Sequence, residues 1–361
     1  MSIKNQIHYS IVNINKEKAN FNLIYGEKSN GKSYQVKHIE AVEHYLETGQ
    51  RFVLLRRWKE DITNLWIEQY FSDVDVEKLT KGKYNCITCY RKVLYLSIYN
   101  AEEGKAKRYE KIGYVMALST EQHYSGGSFL DVDRIIFEEF MERGKYLANE
   151  PDRLMILYST IDRKRGTTKI YMVGNSISRV CPYIHSWGLD KIFSNLKQGE
   201  IATKIIHNEV NDVKIAIEYC RSSGGKTMAI GNAAAMVDSG SWQTFPQPKL
   251  PKSYKDYKCI FRFGFQYKSF KFLCDYLVDK VEKESPIWFI YPFYKDFKKN
   301  LIVFSDIVQV SRYWQRDIYN ISIPNQKLKN LFMTFKENKI FYASDMCGTD
   351  FKQVIDFSIR R

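Results

Sequence analysis

The segment Gly26-Glu27-Lys28-Ser29-Asn30-Gly31-Lys32-Ser33 fits the pattern G-x-x-x-x-G-K-[ST] without a mismatch, and few strings of that length constrain a fold as tightly. The pattern works only where a buried strand turns into a helix. There the glycines let backbone N–H groups wrap an anion at the helix N-terminus, Lys32 reaches the β- and γ-phosphates, and Ser33 ligates Mg²⁺. The flanks supply that context: Phe21 to Tyr25 is a short apolar run, and Val36, Ile39, Val42 and Leu46 recur at helical spacing up to Gly49. Gly26 through Ser33 are therefore the expected contacts of ATP, with Ser33 also a ligand of Mg²⁺.

The chain downstream repeats the alternation. Arg51 to Leu55 reads as a buried strand beside the P-loop strand, ending at Arg56 and Arg57, and Lys59 to Phe71 as a helix. Residues 84–98 alternate as a hairpin turning at Arg91-Lys92, and Lys111 to Leu118 is a further strand. A loop containing Ser125-Gly126-Gly127-Ser128, able to move or to touch a ligand, comes next. Asp133 to Phe137 is another buried strand, with Glu138-Glu139 at its end. Asn149 to Thr160 reads as a helix, and Lys169 to Val173 as a strand running into Gly174-Asn175. Strands alternating with helices predict an α/β domain with a mostly parallel sheet covered on both faces.

Asn208 to Cys220 reads as one helix, and Ser222 to Lys255, rich in Gly, Ser, Pro and Ala, as a linker. Strand-like runs follow at 258–265, 270–277, 287–291 and 301–310, then helical patterns near 326–336 and 351–359. The expected division is a P-loop domain over 1–206, a helical or flexible linker over 207–256 and a smaller C-terminal α/β domain over 257–361.

Charge and cysteines bound the partners and the compartment. The formal charge is +14, and residues 251–361 alone hold 20 basic against 12 acidic residues, so the C-terminal third is the more basic. A field of that sign favours a polyanion such as nucleic acid. The seven cysteines are scattered and odd in number, which points to reduced thiols in a cytosol; Cys86 and Cys89 form one C-x-x-C with no second pair to complete a zinc set. No apolar run approaches the roughly 18 residues of a membrane span, so a soluble or peripheral protein is expected.

Catalysis needs carboxylates near the phosphates. In Arg134-Ile135-Ile136-Phe137-Glu138-Glu139 a carboxylate at a strand end can hold Mg²⁺ and its neighbour can orient and polarise the attacking water. Glu138 is assigned to the metal and Glu139 to catalysis. Glu138 stands where Asp is usual, and its extra methylene must be absorbed by a small shift. Asn175, at the tip of the next strand, either faces the γ-phosphate or caps a helix. Arg163-Lys164-Arg165 is either a solvated basic loop or the source of an arginine that neutralises charge on a neighbouring subunit's γ-phosphate. Arg56 and Arg57 either reach phosphate or form a surface salt bridge.

A strand placed between the P-loop strand and the acidic strand, with a glutamate poised for catalysis, is the plan of the additional-strand (ASCE) ATPases. Together the Gly26–Ser33 loop, Phe52-Val53-Leu54-Leu55-Arg56-Arg57, Ile135 to Phe140, the Arg163–Arg165 loop and Val173-Gly174-Asn175-Ser176 resemble the DNA-encapsidation ATPases of φ29-like podophages, which are related to the ATPases of large terminases. The order and spacing cover about the first 180 residues. The resemblance implies ATP hydrolysis coupled to translocation of double-stranded DNA into a procapsid. It implies a homo-oligomeric ring, a homopentamer, docked on the portal in the host cytoplasm, with no membrane and with a packaging RNA as a further partner in some members. It also implies that Arg163 is the trans-acting arginine finger, with Arg165 the fallback. A second trans-acting basic residue of the family falls near Ser125 here. The C-terminal domain is implied to resemble a vestigial RNase H-like nuclease that binds nucleic acid. The alternatives are a cutting terminase, with Asp275, Asp306 and Asp345 as its candidate carboxylates, or an assembly protein that binds nucleic acid and holds ATP as a structural ligand.

Overall fold

A computed structural model describes residues 8–143, 146–207, 212–224, 239–282, 286–305, 314–315 and 340–359, with positions 234 and 237. The chain divides into two compact units, Met1–Gln243 and Thr244–Arg361.

The first unit begins with a short helix, α1 (Val12–Lys16), and the strand β1 (Phe21–Gly26), every residue of which is buried. The P-loop leads into α2, a continuous helix built from Lys32–Gln35, a wide π-type stretch Val36–Glu43, and His44–Thr48. Then come β2 (Arg51–Arg56), α3 (Asn64–Phe71), α4 (Val76–Leu79), β3 (Cys86–Tyr90), β4 (Val93–Asn100) and β5 (Lys105–Ala117). The remainder is β6 (Val132–Glu138), α5 (Glu150–Asp162), β7 (Lys169–Asn175), α6 (Pro182–Ser186), α7 (Asp190–Asn195), β8 (Glu200–His207) and β9 (Asp212–Tyr219).

These strands form one nine-stranded sheet in the order β3-β4-β5-β2-β6-β7-β1-β9-β8. The centre is parallel: β5, β2, β6, β7, β1 and β9 pair parallel in sequence across it, while β3-β4-β5 at one edge and β8-β9 at the other pair antiparallel. The period of two along each central strand sends alternate residues into two cores. Leu54, Ile136, Tyr171 and Ile24 face α2 and α3, whereas Leu55, Phe137, Met172 and Tyr25 face α5, α6 and α7.

The structure corrects several expectations. The strand β2 does not lie beside β1; β6 and β7 come between. Of the helix expected over 208–220, residues 208–211 lie outside the described residues and Asp212–Tyr219 is the strand β9, parallel to β1, with Ile215 and Ile217 in one core and Ala216 in the other. Its β-branched residues prefer a pleated, doubly buried position over a helix. The domain boundary at 206 and a linker starting at 207 are thereby overturned, because β9 belongs to the first unit's sheet and the division falls between Gln243 and Thr244. The helix expected over Lys59–Phe71 is broken: a single 3₁₀ turn spans Lys59–Asp61, and Thr63 then starts α3 by accepting the N–H of Trp66 at 3.1 Å. In α2 Val36, Ile39 and Val42 of the expected stripe do pack on the core, but the wide stretch adds Ala41 and Lys37 to the buried side at a spacing of five from Val36 and Val42, and Leu46 is left exposed.

The second unit holds a six-stranded mixed sheet in the order β14-β13-β10-β11-β12-β15 and the helix α8 (Asp345–Ile359). Its strands are β10 (Tyr257–Tyr267), β11 (Phe270–Asp279), β12 (Ile287–Pro292), β13 (Ile302–Ser305), β14 (Trp314–Gln315) and β15 (Ile340–Tyr342). The first three form an antiparallel meander, and β13 adds parallel to β10 on its free side. The helical pattern near 326–336 and the carboxylate Asp306 lie outside the described residues.

Candidate nucleotide-binding and hydrolysis site

The P-loop leaves β1 through backbone that favours glycine. Gly26 has φ +155° with Cys220 packed close against it, so that a side-chain carbon would sit 3.1 Å from the Cys220 Cβ. Gly31, at φ +94°, caps the N-terminus of α2. Outside contacts fix the loop: the Tyr9 N–H donates to the Asn30 carbonyl at 2.9 Å, and Ser176 N–H donates to the Gly26 carbonyl at 3.0 Å. Glu27 is buried and turns away from the loop mouth, where it accepts from the hydroxyl and the N–H of Ser223. With its carboxylate so engaged, the group it can offer a phosphate is its backbone N–H. Lys28 and Ser29 are exposed.

Lys32 is buried, and its ammonium donates to the Glu27 carbonyl, to Asn30 Oδ1 at 3.0 Å and to Asn175 Oδ1 at 3.4 Å. Burial pushes its pKa below the usual lysine range, and the charges of Glu138 and Glu27 offset part of that shift. Asn175, at the C-terminal end of β7, is thus brought to the same point as the P-loop lysine. The reading of Asn175 as a residue facing the phosphates is the one its position favours.

Ser33 Oγ donates to Glu138 Oε2 at 3.0 Å, and Tyr70 OH donates to the other oxygen of Glu138 at 2.7 Å. Burial raises the pKa of Glu138, while the hydrogen bonds from Tyr70 and Ser33 pull it back down. Tyr70 is held in turn by Lys37, whose ammonium lies 4.7 Å from the ring centroid and donates to the Tyr70 carbonyl. A serine hydroxyl beside one carboxylate is the kind of hard oxygen pair that takes Mg²⁺ when phosphates and water complete the shell. Ser33 and Glu138 therefore fit the metal. The sequence offered no sign of Tyr70, which reads as one more aromatic on a helix.

Glu139 follows in left-handed backbone at φ +57°, and its carboxylate is ion-paired at 2.8 Å with Arg56, the last residue of β2. Arg56 also reaches Asp61 at 3.3 Å and stacks over Trp66 with 4.9 Å to the centroid. A cleft of about 510 Å³ opens between these groups, lined by Arg56, Arg57, Asp61, Glu138, Glu139 and Ile177. Arg57 is no surface salt bridge. It is buried and donates to both oxygens of Glu150 at 3.0 and 2.8 Å, to Glu142 at 2.8 Å, and to the carbonyls of Glu139 and Phe140 at 3.1 and 2.8 Å. Arg57 fixes the backbone on which Glu139 stands.

The basic loop does not join this cluster within the chain. Because α5 runs back from the P-loop end of the sheet to the start of β7, Arg163 to Arg165 lie at the opposite end of the parallel strands. Arg165 is tied to the carbonyls of Leu130, Val132, Ile161 and Asp162. Arg163 is exposed, in left-handed backbone, and donates to the carbonyl of Gly127. The Ser125–Ser128 loop and Arg163 are thereby neighbours.

In the second unit, Asp275 is fully buried and engaged by Arg262, Tyr254 and Tyr291. Asp345 pairs with Lys249 and accepts the Gln247 N–H. Asp275 and Asp345 are not brought together as a metal site, and no cluster of three His, Cys, Asp or Glu suited to a metal occurs among the described residues. Cys86 and Cys89, three apart on β3, point to opposite faces of the sheet. Among the described residues no helix is long and apolar enough to cross a membrane.

Comparison with known proteins places this geometry. The DNA packaging protein of Bacillus phage B103 is 27% identical over 176 residues, 46% of this chain and 48% of that protein. The DNA packaging protein of Bacillus phage phi29 is 26% identical over 170 residues, 45% of this chain and 44% of that protein. The match spans about half the length of each of these relatives. A solved structure of the phi29 viral genome packaging motor assembly shares the fold at a TM-score of 0.53 with 17% identity, covering 96% of this chain and 99% of that one. The sequence model of the Podovirus DNA encapsidation protein (Gp16) matches residues 3–306, far more than half of the chain, and the chain belongs to that family.

Proposed function

We propose that this protein is the ATP-hydrolysing subunit of a ring motor that drives double-stranded DNA into a viral procapsid. The observation that carries the reading is the convergence of Lys32, Ser33, Glu138, Glu139 and Asn175 at one end of the parallel sheet. The N–H groups of residues 26–33 and the Lys32 ammonium bind the β- and γ-phosphates. Mg²⁺ held by Ser33 and Glu138 neutralises phosphate charge. Glu139 orients the attacking water, and Arg56, paired with it, sets the position of its carboxylate. Asn175 contacts the γ-phosphate beside Lys32.

Arg163 serves as the trans-acting finger in a homopentameric ring, its exposure and its place next to the Ser125–Ser128 loop supporting that role over Arg165. The ring docks on the portal of the procapsid in the host cytoplasm, with a packaging RNA as a further partner. The C-terminal unit is a nucleic-acid-binding, RNase H-like domain without nuclease activity. Its meander with a parallel fourth strand supports the fold assignment, and the burial of Asp275 under Arg262 supports the loss of cutting.

The test is steady-state ATPase activity at low salt with and without duplex DNA. The motor reading expects stimulation by DNA and loss of turnover in Lys32→Ala. Slow turnover that ignores DNA, with tight retention of ATP, would instead favour the assembly-protein alternative.

A further inference from the structure

The antiparallel edge β3-β4-β5 has two unlike faces. On one, Ile87, Leu94 and Leu96 join Ile67, Phe71 and Val76 of α3 and α4 in a buried core. Cross-strand register places Thr88, Tyr90, Val93, Tyr95, Ser97, Tyr99, Arg108 and Lys111 on the other, and the hydrogen bond between Thr88 and Ser97 hydroxyls confirms that these strands present one face together. Tyr90, Tyr99, Arg108 and Lys111 are exposed on this face, with Thr88, Val93 and Tyr95 half-buried and Ser97 buried beneath them, and Tyr114, opposite Val93, marks the end at which the face meets the second core. A sheet face whose outer part is exposed in an otherwise two-sided domain can take an occupant there.

Charge identifies it. The exposed part of the face carries no carboxylate of its own strands: Glu110 of β5 turns to the covered side, where it accepts from Lys83 and Tyr84, Glu102 and Glu103 sit at the hairpin tip beyond the end of β4, and Asp131, beside Tyr114 at the inner end, is paired with Arg51. Two guanidiniums converge on one ring, Arg108 at 4.4 Å and Arg91 at 5.2 Å from the Tyr90 centroid. Neither has an ion-pair partner among the described residues. Like charges gathered on one tyrosine without a counter-ion repel each other, and an anion bridging them relieves that repulsion. Along β4, Val93, Tyr95, Ser97 and Tyr99 share the face and recur about every 6.7 Å, twice the roughly 3.4 Å axial step between phosphates of one DNA strand. Tyrosine hydroxyls add donors of the kind that position a protein on a phosphate backbone without reading its sequence.

We propose that this open face of β3-β4-β5 binds the phosphate backbone of duplex DNA, with Arg91 and Arg108 braced on Tyr90 as its centre. The inference rests on the motor reading, which supplies duplex DNA as cargo, and it names a gripping surface on the ATPase unit itself. The acidic hairpin tip keeps the contact on the face and away from the end of the ribbon. Because Tyr90 is flanked by guanidiniums, its ring is not open to stack on bases, which favours a duplex over a single strand.

The experiment measures binding of the full chain to a mixed-sequence DNA duplex by fluorescence anisotropy across a salt series, for wild type and for Arg91→Ala/Arg108→Ala. Removing two phosphate contacts lowers the slope of log K against log salt by about 1.8 and the affinity at 0.15 M salt by about 30-fold. Basal ATPase activity without DNA stays unchanged, which also verifies folding. A Lys28→Ala control keeps the wild-type slope. A variant slope equal to wild type overturns the proposal, as does a loss confined to single-stranded DNA or duplex RNA, or one explained by a changed oligomeric state, which would make a second copy the occupant. Wild-type binding without DNA-stimulated hydrolysis would instead remove the motor reading and leave the surface standing.

Discussion

Tyr70→Phe isolates the one hydrogen bond that the sequence could not announce. The Tyr70 hydroxyl lies 2.7 Å from Glu138 Oε1, and Ser33 holds the other oxygen at 3.0 Å, so the buried carboxylate is gripped from both sides. Phenylalanine keeps the ring under the Lys37 ammonium and against Phe71 while deleting only the hydroxyl. A hydrogen bond to a charged acceptor contributes about 1.5–3 kcal/mol, and the orientation of the carboxylate toward Ser33 depends on it. Taking the lower half of that range, affinity for Mg²⁺ in the presence of ATP should fall about 10-fold to 40-fold.

The pH dependence follows in sign. Burial raises the pKa of Glu138 and the Tyr70 hydrogen bond lowers it, so its removal raises the pKa further. The metal requires the ionised form. The acid limb of the ATPase profile therefore moves to higher pH in the variant, and the enzyme loses activity sooner as pH falls. Two assays suffice: hydrolysis titrated with Mg²⁺ at several pH values, and binding of a fluorescent ATP analogue with and without Mg²⁺. Metal-independent nucleotide affinity should be unchanged. If the Mg²⁺ midpoint and the acid limb both match wild type, Tyr70 is core packing and the argument fails.

Three further outcomes test the same geometry. Burial raises the Glu218 carboxyl from 4.5 to about 7 against the lowering hydrogen bond from Tyr9; a folded pKa above the unfolded one gives stability that is present below about pH 4.5 and lost as pH rises through about 7. Glu218→Gln should therefore stabilise the fold above pH 7, by about 3 kcal/mol at most, and leave it near wild type at pH 5; equal shifts in urea midpoint at both pH values would contradict this. Glu150→Ala removes the fully buried partner of Arg57, leaving it Glu142 and two carbonyls, and strands the Tyr183 hydroxyl; it should cost about 3 kcal/mol in chemical denaturation, whereas a loss below about 1 kcal/mol would show the pair to be dispensable. Mixing Arg163→Ala with Glu139→Gln subunits should partly restore hydrolysis, because a site at their junction has both groups intact; no recovery leaves Arg163 a local residue.

The parts of the fold that the sequence exposed are those where local chemistry and global position agree. Gly26, Gly31, Lys32 and Ser33 occupy a strand-to-helix turn that only such residues fill, and the Glu138-Glu139 pair stands at a strand end as expected. Where position depends on partners distant in sequence, the reading failed. Nothing in Arg51–Arg56 says that two strands separate it from β1, and the segment 212–219 becomes a strand because β1 offers it a free parallel edge. Val213, Ile215 and Ile217 alternate at period two, a signal that favoured β over α and could have been used. In α2 a helical stripe was correct in kind but displaced, since a π-type stretch rotates the buried side by more than a helix wheel allows.

The arginines show why residue type alone does not assign a role. Each is a planar fork with five donors, and what it can do depends on how many of them the fold already engages. Arg57 is engaged by two carboxylates and two carbonyls, and Arg165 by four carbonyls, so both are structural members of their loops. Arg56 holds Glu139, the proposed catalytic carboxylate, and gives it up when another charge competes for that guanidinium or that carboxylate, which is what a γ-phosphate and its water would do. Arg163 keeps its fork exposed, with one carbonyl as its partner among the described residues, and sits at the far end of the parallel strands from the P-loop of its own chain. A site whose acids, lysine and asparagine are all in place at one end, and whose available arginine stands at the other, is completed most simply by setting one copy of the chain against the next.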